Sequence, residues 1–489
     1  MKVPKVNDLF FELDRLEYPG NPETLQSGLA WSLVEDCSRG VMENGRKKGY
    51  IYEKLKNKDY KHITIEQTRK KDQANINRCL TEVQNVVEII GDIEGKDVIK
   101  ALLDDLRGML PENSAGRAAT PLVSGAAFLQ DPVGSVAKKG PADLHKIVSQ
   151  VYRLGGGKAE INPAVIWYAA LRGEEGNPDP IKKILDKVTE HLCPLDNLPI
   201  GNKPPLTLPS PPGWLKNVDT PFSWFAETWD QFCKPEWRDS LPYHRWSDWA
   251  TCILRTGLGM AFIWEVVFYR NLGKALLGSD SAQDNLPARQ PLLAWVQHGT
   301  SLSVKDQNRK ITELISDGLQ IKNKIGEILE RYGGSVTQEQ IDSWRKENGL
   351  LEWFQWAKVE LKNDLPEISD CFNQASEGKA TKEAIRYCLL CRKTFGENVD
   401  YYGLLKKRSR RFLVVEPSPE WIVVVASLTA KLPNGSTNLG GLIEQLKKLG
   451  LEPPREVLVE ELEKAGLTQS SHDADEAVLV SGFLGKVDQ

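Results

Sequence analysis

Histidine is scarce in this chain of 489 residues, with six in all. They are His62, His145, His191, His244, His298 and His472, and none stands in a His-x-x-x-His or similar pair. The helical zinc-hydrolase signature is therefore absent. Cysteine is also sparse: eight residues, with no framework spacing. That excludes the disulfide-stapled secreted class and points to reduced thiols in the cytoplasm. Cys388 and Cys391 have the spacing of metal ligands, with Cys371 upstream, but no fourth ligand lies close. They fall in a helical apolar pattern, where cysteine serves as a small core residue. No metal and no cofactor is expected.

Long apolar runs are missing too. The nearest approach, 250–269, carries Arg255 and Glu265 and reads as a buried helix, so no membrane partner is expected. The N-terminus, Met1-Lys2-Val3-Pro4-Lys5, has no apolar signal core. Nor does one sign of charge dominate: 63 basic against 67 acidic side chains leave a net charge of -4. Any attraction to nucleic acid must come from a local patch.

Phosphate-loop chemistry fails on its spacing. Gly155-Gly156-Gly157-Lys158 is followed by Ala159 and Glu160, so the magnesium-binding hydroxyl is lacking, and GDIEGKD at 91–97 fails on spacing and last residue. Glu360-Leu361-Lys362 fits half of a restriction-type nuclease site, but Trp353, Trp356 and Leu361 around it have helical spacing. No catalytic constellation emerges, and a non-enzymatic protein is expected.

What is present is a long helical body. The pattern over 1–110 predicts a helical N-terminal domain with a basic segment at 46–78 and an acidic one at 82–105, two blocks able to pair with each other. A Gly/Ala/Pro-rich loop follows at 111–141, a helical segment at 142–196 and a proline-rich extended connector at 197–213. Residues 214–379 form a Trp-rich helical core: half of the 14 tryptophans lie between Trp214 and Trp264. Such density favours a shared core, with an aromatic ligand platform as the alternative. A clean amphipathic helix is predicted over 305–332, and Thr337 with Gln340 predicts a capping box. No repeat of fixed period is evident.

Two winged-helix-like α+β units are predicted at the C-terminus, giving a mainly α, multi-domain chain. The first, 380–432, places a helix at 382–395 before Tyr401-Tyr402-Gly403-Leu404-Leu405-Lys406-Lys407-Arg408-Ser409-Arg410-Arg411-Phe412-Leu413-Val414-Val415. Two apolar runs flank five cations, the pattern of a hairpin with a charged tip. Residues 420–432 suit either a strand or a buried helix. The second unit, 433–489, predicts a helix capped by Asn438 and ended by Gly450, a second opened by Pro453-Pro454, and a short hairpin that includes 477–480. Its second helix carries Glu456, Glu460, Glu461 and Glu463, which phosphates would repel. That unit reads as a protein-interaction or scaffolding module.

The helical body followed by GLLKKRSRRFLVV-x-PSPEWIVVV resembles accessory, non-catalytic proteins of bacterial antiphage defence systems, the helical partner in Zorya-type systems being one example. The likeness covers a small C-terminal part of the chain and transfers no catalytic residue. It implies DNA engagement or complex assembly beside separate protein subunits.

The expected function is a DNA-contacting accessory subunit. Lys406, Lys407, Arg408, Arg410 and Arg411 would meet the backbone of double-stranded DNA, with Arg386, Arg392 and Lys393 adding contacts from the preceding helix. Phosphate contacts of this kind position a protein without specifying sequence. A pure protein–protein scaffold is the alternative, with the basic hairpin meeting an acidic partner. A third reading is an enzyme built around Glu265, whose carboxylate lies in an apolar run and needs a partner, Arg255 or Arg270.

Overall fold

A computed structural model of the chain describes residues 9–14, 22–34, 37–39, 42–43, 46–47, 50–52, 73–106, 119–129, 144–173, 180–192, 204–216, 218–279, 286, 292–293, 295, 304–332, 335–372, 379–391, 400–408, 412–468 and 478–482. Among these the protein is mainly helical, with 17 helices and a few short strands.

The N-terminal part holds α1 (Pro22–Ser32), four short strands β1 (Cys37–Arg39), β2 (Met42–Glu43), β3 (Arg46–Lys47) and β4 (Tyr50–Tyr52), then α2 (Gln73–Gln84) and α3 (Gly95–Asp105). The strands correct the helical expectation for this stretch. β2 pairs with β3 through Glu43 opposite Arg46, which leaves Asn44-Gly45 as the two intervening residues. In sequence, Asn-Gly is the strongest two-residue hairpin signal.

The middle of the chain supplies α4 (Leu144–Leu154), α5 (Pro163–Arg172), α6 (Pro180–Leu192), α7 (Pro221–Phe232), α8 (Pro235–Ser240) and α9 (Tyr243–Leu276). Then come α10 (Val304–Arg331), α11 (Gln338–Trp344), α12 (Gly349–Glu360), α13 (Leu365–Asp370) and α14 (Lys379–Leu389). The described part of the proline-rich connector, 204–212, has no regular structure. Thr337 and Gln340 form the expected reciprocal capping box on α11.

The 34-residue helix α9 is the spine. It is long and apolar enough to cross a membrane, yet its apolar window is 94% buried inside the protein. A helix apolar on every side needs cover on every side, and α1, α7, α10 and α14 all pack on it. The predicted stripe of α10 lies inward, with Ile311, Ile315, Leu319, Ile325 and Ile328 buried. Gly318 permits the close approach: a Cβ there would stand 2.1 Å from the Val266 carbonyl oxygen of α9.

Aromatic packing fills the spaces. Trp214, Trp224, Trp229, Trp237, Trp246, Trp249 and Trp264 are all buried, so they form core and not an exposed ligand platform. Trp214 and Trp264 both stack on Phe268, with centroids 5.3 and 5.6 Å away. Residues 9–14 thread into this layer. Phe10 and Phe11 are buried in it, and Tyr269 Oη donates to the Phe11 carbonyl at 2.6 Å.

After α14 come β5 (Leu405–Arg408), β6 (Phe412–Val415), α15 (Pro419–Thr429), β7 (Ser436–Asn438), α16 (Leu439–Lys448), α17 (Arg455–Lys464) and β8 (Leu479–Ser481). The 420–432 alternative resolves as helix, because α15 buries Trp421, Ile422, Val423, Val424 and Val425 together. The Asn438 side chain caps α16 by accepting from the Gly441 N–H at 2.7 Å. α15 packs on both α16 and α17. Among the described residues, β8 does not close a local hairpin after α17. It pairs with β7, ahead of α16, with Asn438 opposite Leu479.

One buried guanidinium joins this C-terminal region to the spine. Arg255 of α9 is 2% exposed and Asp400 6%. Its Nη1 and Nη2 grip the two Asp400 oxygens at 3.0 and 2.9 Å. Its Nε donates to the Cys388 carbonyl at 3.0 Å and Nη2 to the Leu390 carbonyl at 2.8 Å. Burial opposes the charge on Arg255, but Asp400 outweighs it and holds the guanidinium above its ordinary value. Asp400→Ala is expected to cost about 3–5 kcal/mol, because it strands a buried charge. Urea unfolding measures the loss, and a loss below about 1 kcal/mol would deny the pair this role.

Candidate nucleic-acid interface

The predicted basic hairpin forms. β5 and β6 are antiparallel, with Leu405 opposite Val415 and Arg408 opposite Phe412. Its base is set into the body on both edges. Leu390 bridges Leu405 on one side and Trp295 bridges Val415 on the other. The Leu404 N–H donates to the Leu389 carbonyl, and the Cys391 N–H to the Leu405 carbonyl, both at 2.8 Å. Leu405 and Val415 are buried in this base. Gly403 is needed there, since a Cβ would stand 2.5 Å from the Cys391 backbone nitrogen. Cys391 itself shares a hydrogen bond with Ser418 Oγ at 2.8 Å.

Strand alternation divides the cations between two faces. Lys406 and Arg408 lie on one face and Lys407 on the other, and Lys407 and Arg408 are exposed. Arg410 and Arg411 lie outside the described residues, as do Arg392 and Lys393. Arg386 is exposed on α14, whose Ala384, Ile385, Cys388 and Leu389 are buried where the helix packs on α9. The structure therefore describes four of the eight proposed contact residues: Arg386, Lys406, Lys407 and Arg408.

The sequence reading overlooked Glu416. Its carboxylate receives the Arg408 fork, Nε at 2.8 Å and Nη2 at 2.6 Å, and Lys406 Nζ at 3.1 Å. Burial pushes this carboxyl upward, but the hydrogen bonds from Arg408 and Lys406 outweigh it and hold it below the usual glutamate range. Glu416 directly follows the apolar strand, and only the hairpin register brings it onto the face of Lys406 and Arg408.

Glu265 has a different partner from either expected arginine. Arg255 bonds Asp400, and Arg270 bonds Asp317 at 3.0 Å. Lys322 of α10 meets Glu265 at 3.0 Å and Glu12 at the same distance. The Leu13 N–H donates to Glu265 Oε1 at 3.0 Å. The carboxylate thus pins the 9–14 segment against α9 and α10. A shallow cleft lies nearby, lined by Phe10, Phe11, Glu12, Gln150, Arg153 and Arg345 among others, and Glu265 does not line it.

No family model matches the chain, and no curated protein matches it.

Two outcomes test this geometry. Gly403→Ala should destabilise the protein by about 1–3 kcal/mol in urea unfolding, the usual cost of forcing atoms into filled space. A neutral result would remove the close approach. Burial, opposed in part by Lys322 and the Leu13 N–H, holds Glu265 above the ordinary glutamate range. A raised acid favours folding while protonated. Its contribution is complete below the ordinary value of about 4.3 and is lost as pH rises through the folded value. Glu265→Gln should therefore gain stability relative to the parent as pH rises through that window. A flat difference between the two proteins would show that Glu265 titrates normally.

Proposed function

We propose that this chain is a non-enzymatic, DNA-contacting accessory subunit of a multi-protein system, with bacterial antiphage defence the setting its sequence resembles. The observation that carries the reading is the hairpin. A basic strand, followed in sequence by Arg410 and Arg411, rises from a base locked to the core, in a chain whose net charge is slightly negative. Anchoring keeps the cations at a fixed place without spending affinity on ordering them. Contacts of this type favour phosphate backbones of any sequence.

The last five elements add support for the same class. They run α15, β7, α16, α17, β8, with β7 and β8 paired. Helix, strand, helix, helix, strand is the order of a winged-helix module. In α17, however, Glu456, Glu460 and Glu463 are exposed, which suits a protein partner better than DNA. This unit is the assembly surface in the proposal, and the basic hairpin is the DNA contact.

A pure scaffold remains the second reading, favoured by Glu416: Lys406 and Arg408 already accept a carboxylate as partner. Changing Lys406, Lys407, Arg408, Arg410 and Arg411 to Glu decides between them. Duplex binding by the parent at low salt, weakening as salt rises and abolished in the variant, is expected in a mobility-shift titration. Unchanged affinity in the variant, or salt-independent binding by the parent, overturns the DNA reading.

A further inference from the structure

The proposed contact leaves one group of the hairpin without a role, Glu416. Arg408 offers it a two-pronged fork, and Lys406 adds a third donor. A fork on two oxygens with an ammonium alongside is also how a protein seats a phosphate. The carboxylate therefore occupies the position a backbone phosphate would take on this face of the hairpin. It is held by ion pairs at a surface where Arg408 keeps 47% and Lys406 35% of their side-chain exposure. Pairs this exposed are weak and exchange readily with competing anions. Lys407 lies on the opposite face of the strand.

We propose that Glu416 is a built-in competitor for DNA: it fills the phosphate seat of Lys406 and Arg408 and must turn out before the backbone binds there. The inference rests on the DNA-contacting reading of the hairpin. Its consequence is a lowered affinity for stray polyanions, so that firm binding requires contacts beyond those of Lys406 and Arg408. Such a restraint suits an accessory subunit that engages DNA beside other subunits, since a contact strengthened by neighbours need not be strong alone.

The test uses the full chain and a short DNA duplex, comparing the parent with Glu416→Gln by titration over a range of salt. The competitor role predicts tighter binding by the variant, about fivefold at low salt, the worth of one unit charge at contact distance in water. It also predicts a salt dependence steeper by about one unit or more, as one or two cations are freed to replace counterions. Glu416 as a mere brace of the hairpin predicts the opposite sign, because its loss would loosen the cations and weaken binding. Thermal unfolding of both proteins monitors folding, and Glu416→Ala supplies a second variant should the amide keep the fork closed. Binding by the parent that is unchanged or weakened in both variants overturns the competitor role and leaves the DNA reading standing. Absence of duplex binding by the parent and both variants overturns the DNA reading, and the competitor role with it.

Discussion

The position of the basic hairpin depends on one buried guanidinium. Arg255 stands in the buried stretch of α9, where a charge is costly unless every donor is answered. Asp400 and the carbonyls of Cys388 and Leu390 answer it. Those acceptors come from the end of α14 and from the chain that enters β5. The helix end and the strand start are thereby fixed to the same atom group. Trp421 of α15 adds a bond to Thr256, one residue along α9, at 2.9 Å. The described surface cations are carried by β5, but the strand's footing is core.

Glu265 extends the same logic to the other end of the spine. Two ionisable residues in one buried helix each recruit a distant segment: Arg255 the C-terminal hairpin, Glu265 the 9–14 segment and α10. Unpaired, either would be expelled or discharged. Paired, each restricts how its segment can pack, which is a gain in specificity even where the gain in stability is small. The aromatic layer around Phe268 supplies the bulk of the burial, but rings of similar shape discriminate poorly between neighbours, and the ionic pairs do discriminate.

The charge pattern that stands out along the chain is less uniform in space. Five cations in six positions suggest a single patch, yet alternation sends Lys407 away from Lys406 and Arg408, and Glu416 offsets part of what remains. The neighbouring unit repeats the helix-and-strand theme with an acidic helix, α17. Charge therefore differs between neighbouring elements: β5 presents exposed cations and α17 exposed carboxylates.

Local chemistry made much of the helical body legible in advance. The stripe of α10, the Thr337–Gln340 box, the Asn438 cap and the breaks at Gly450 and Pro454 each depend on residues within a turn or two, and periodicity or capping reports them directly. The all-apolar surroundings of Arg255 and Glu265 also announced a buried helix with two unmet charges. Which partners met them was beyond sequence, because Lys322 lies 57 residues from Glu265 and Asp400 lies 145 from Arg255. The same holds for β8, which bypasses two helices to reach β7, and for Glu416, which reaches Lys406 and Arg408 only through the hairpin register. Short-range interactions settle element type at the level of the chain. Pairing of charges and strands across long separations is settled only when the whole core closes around them.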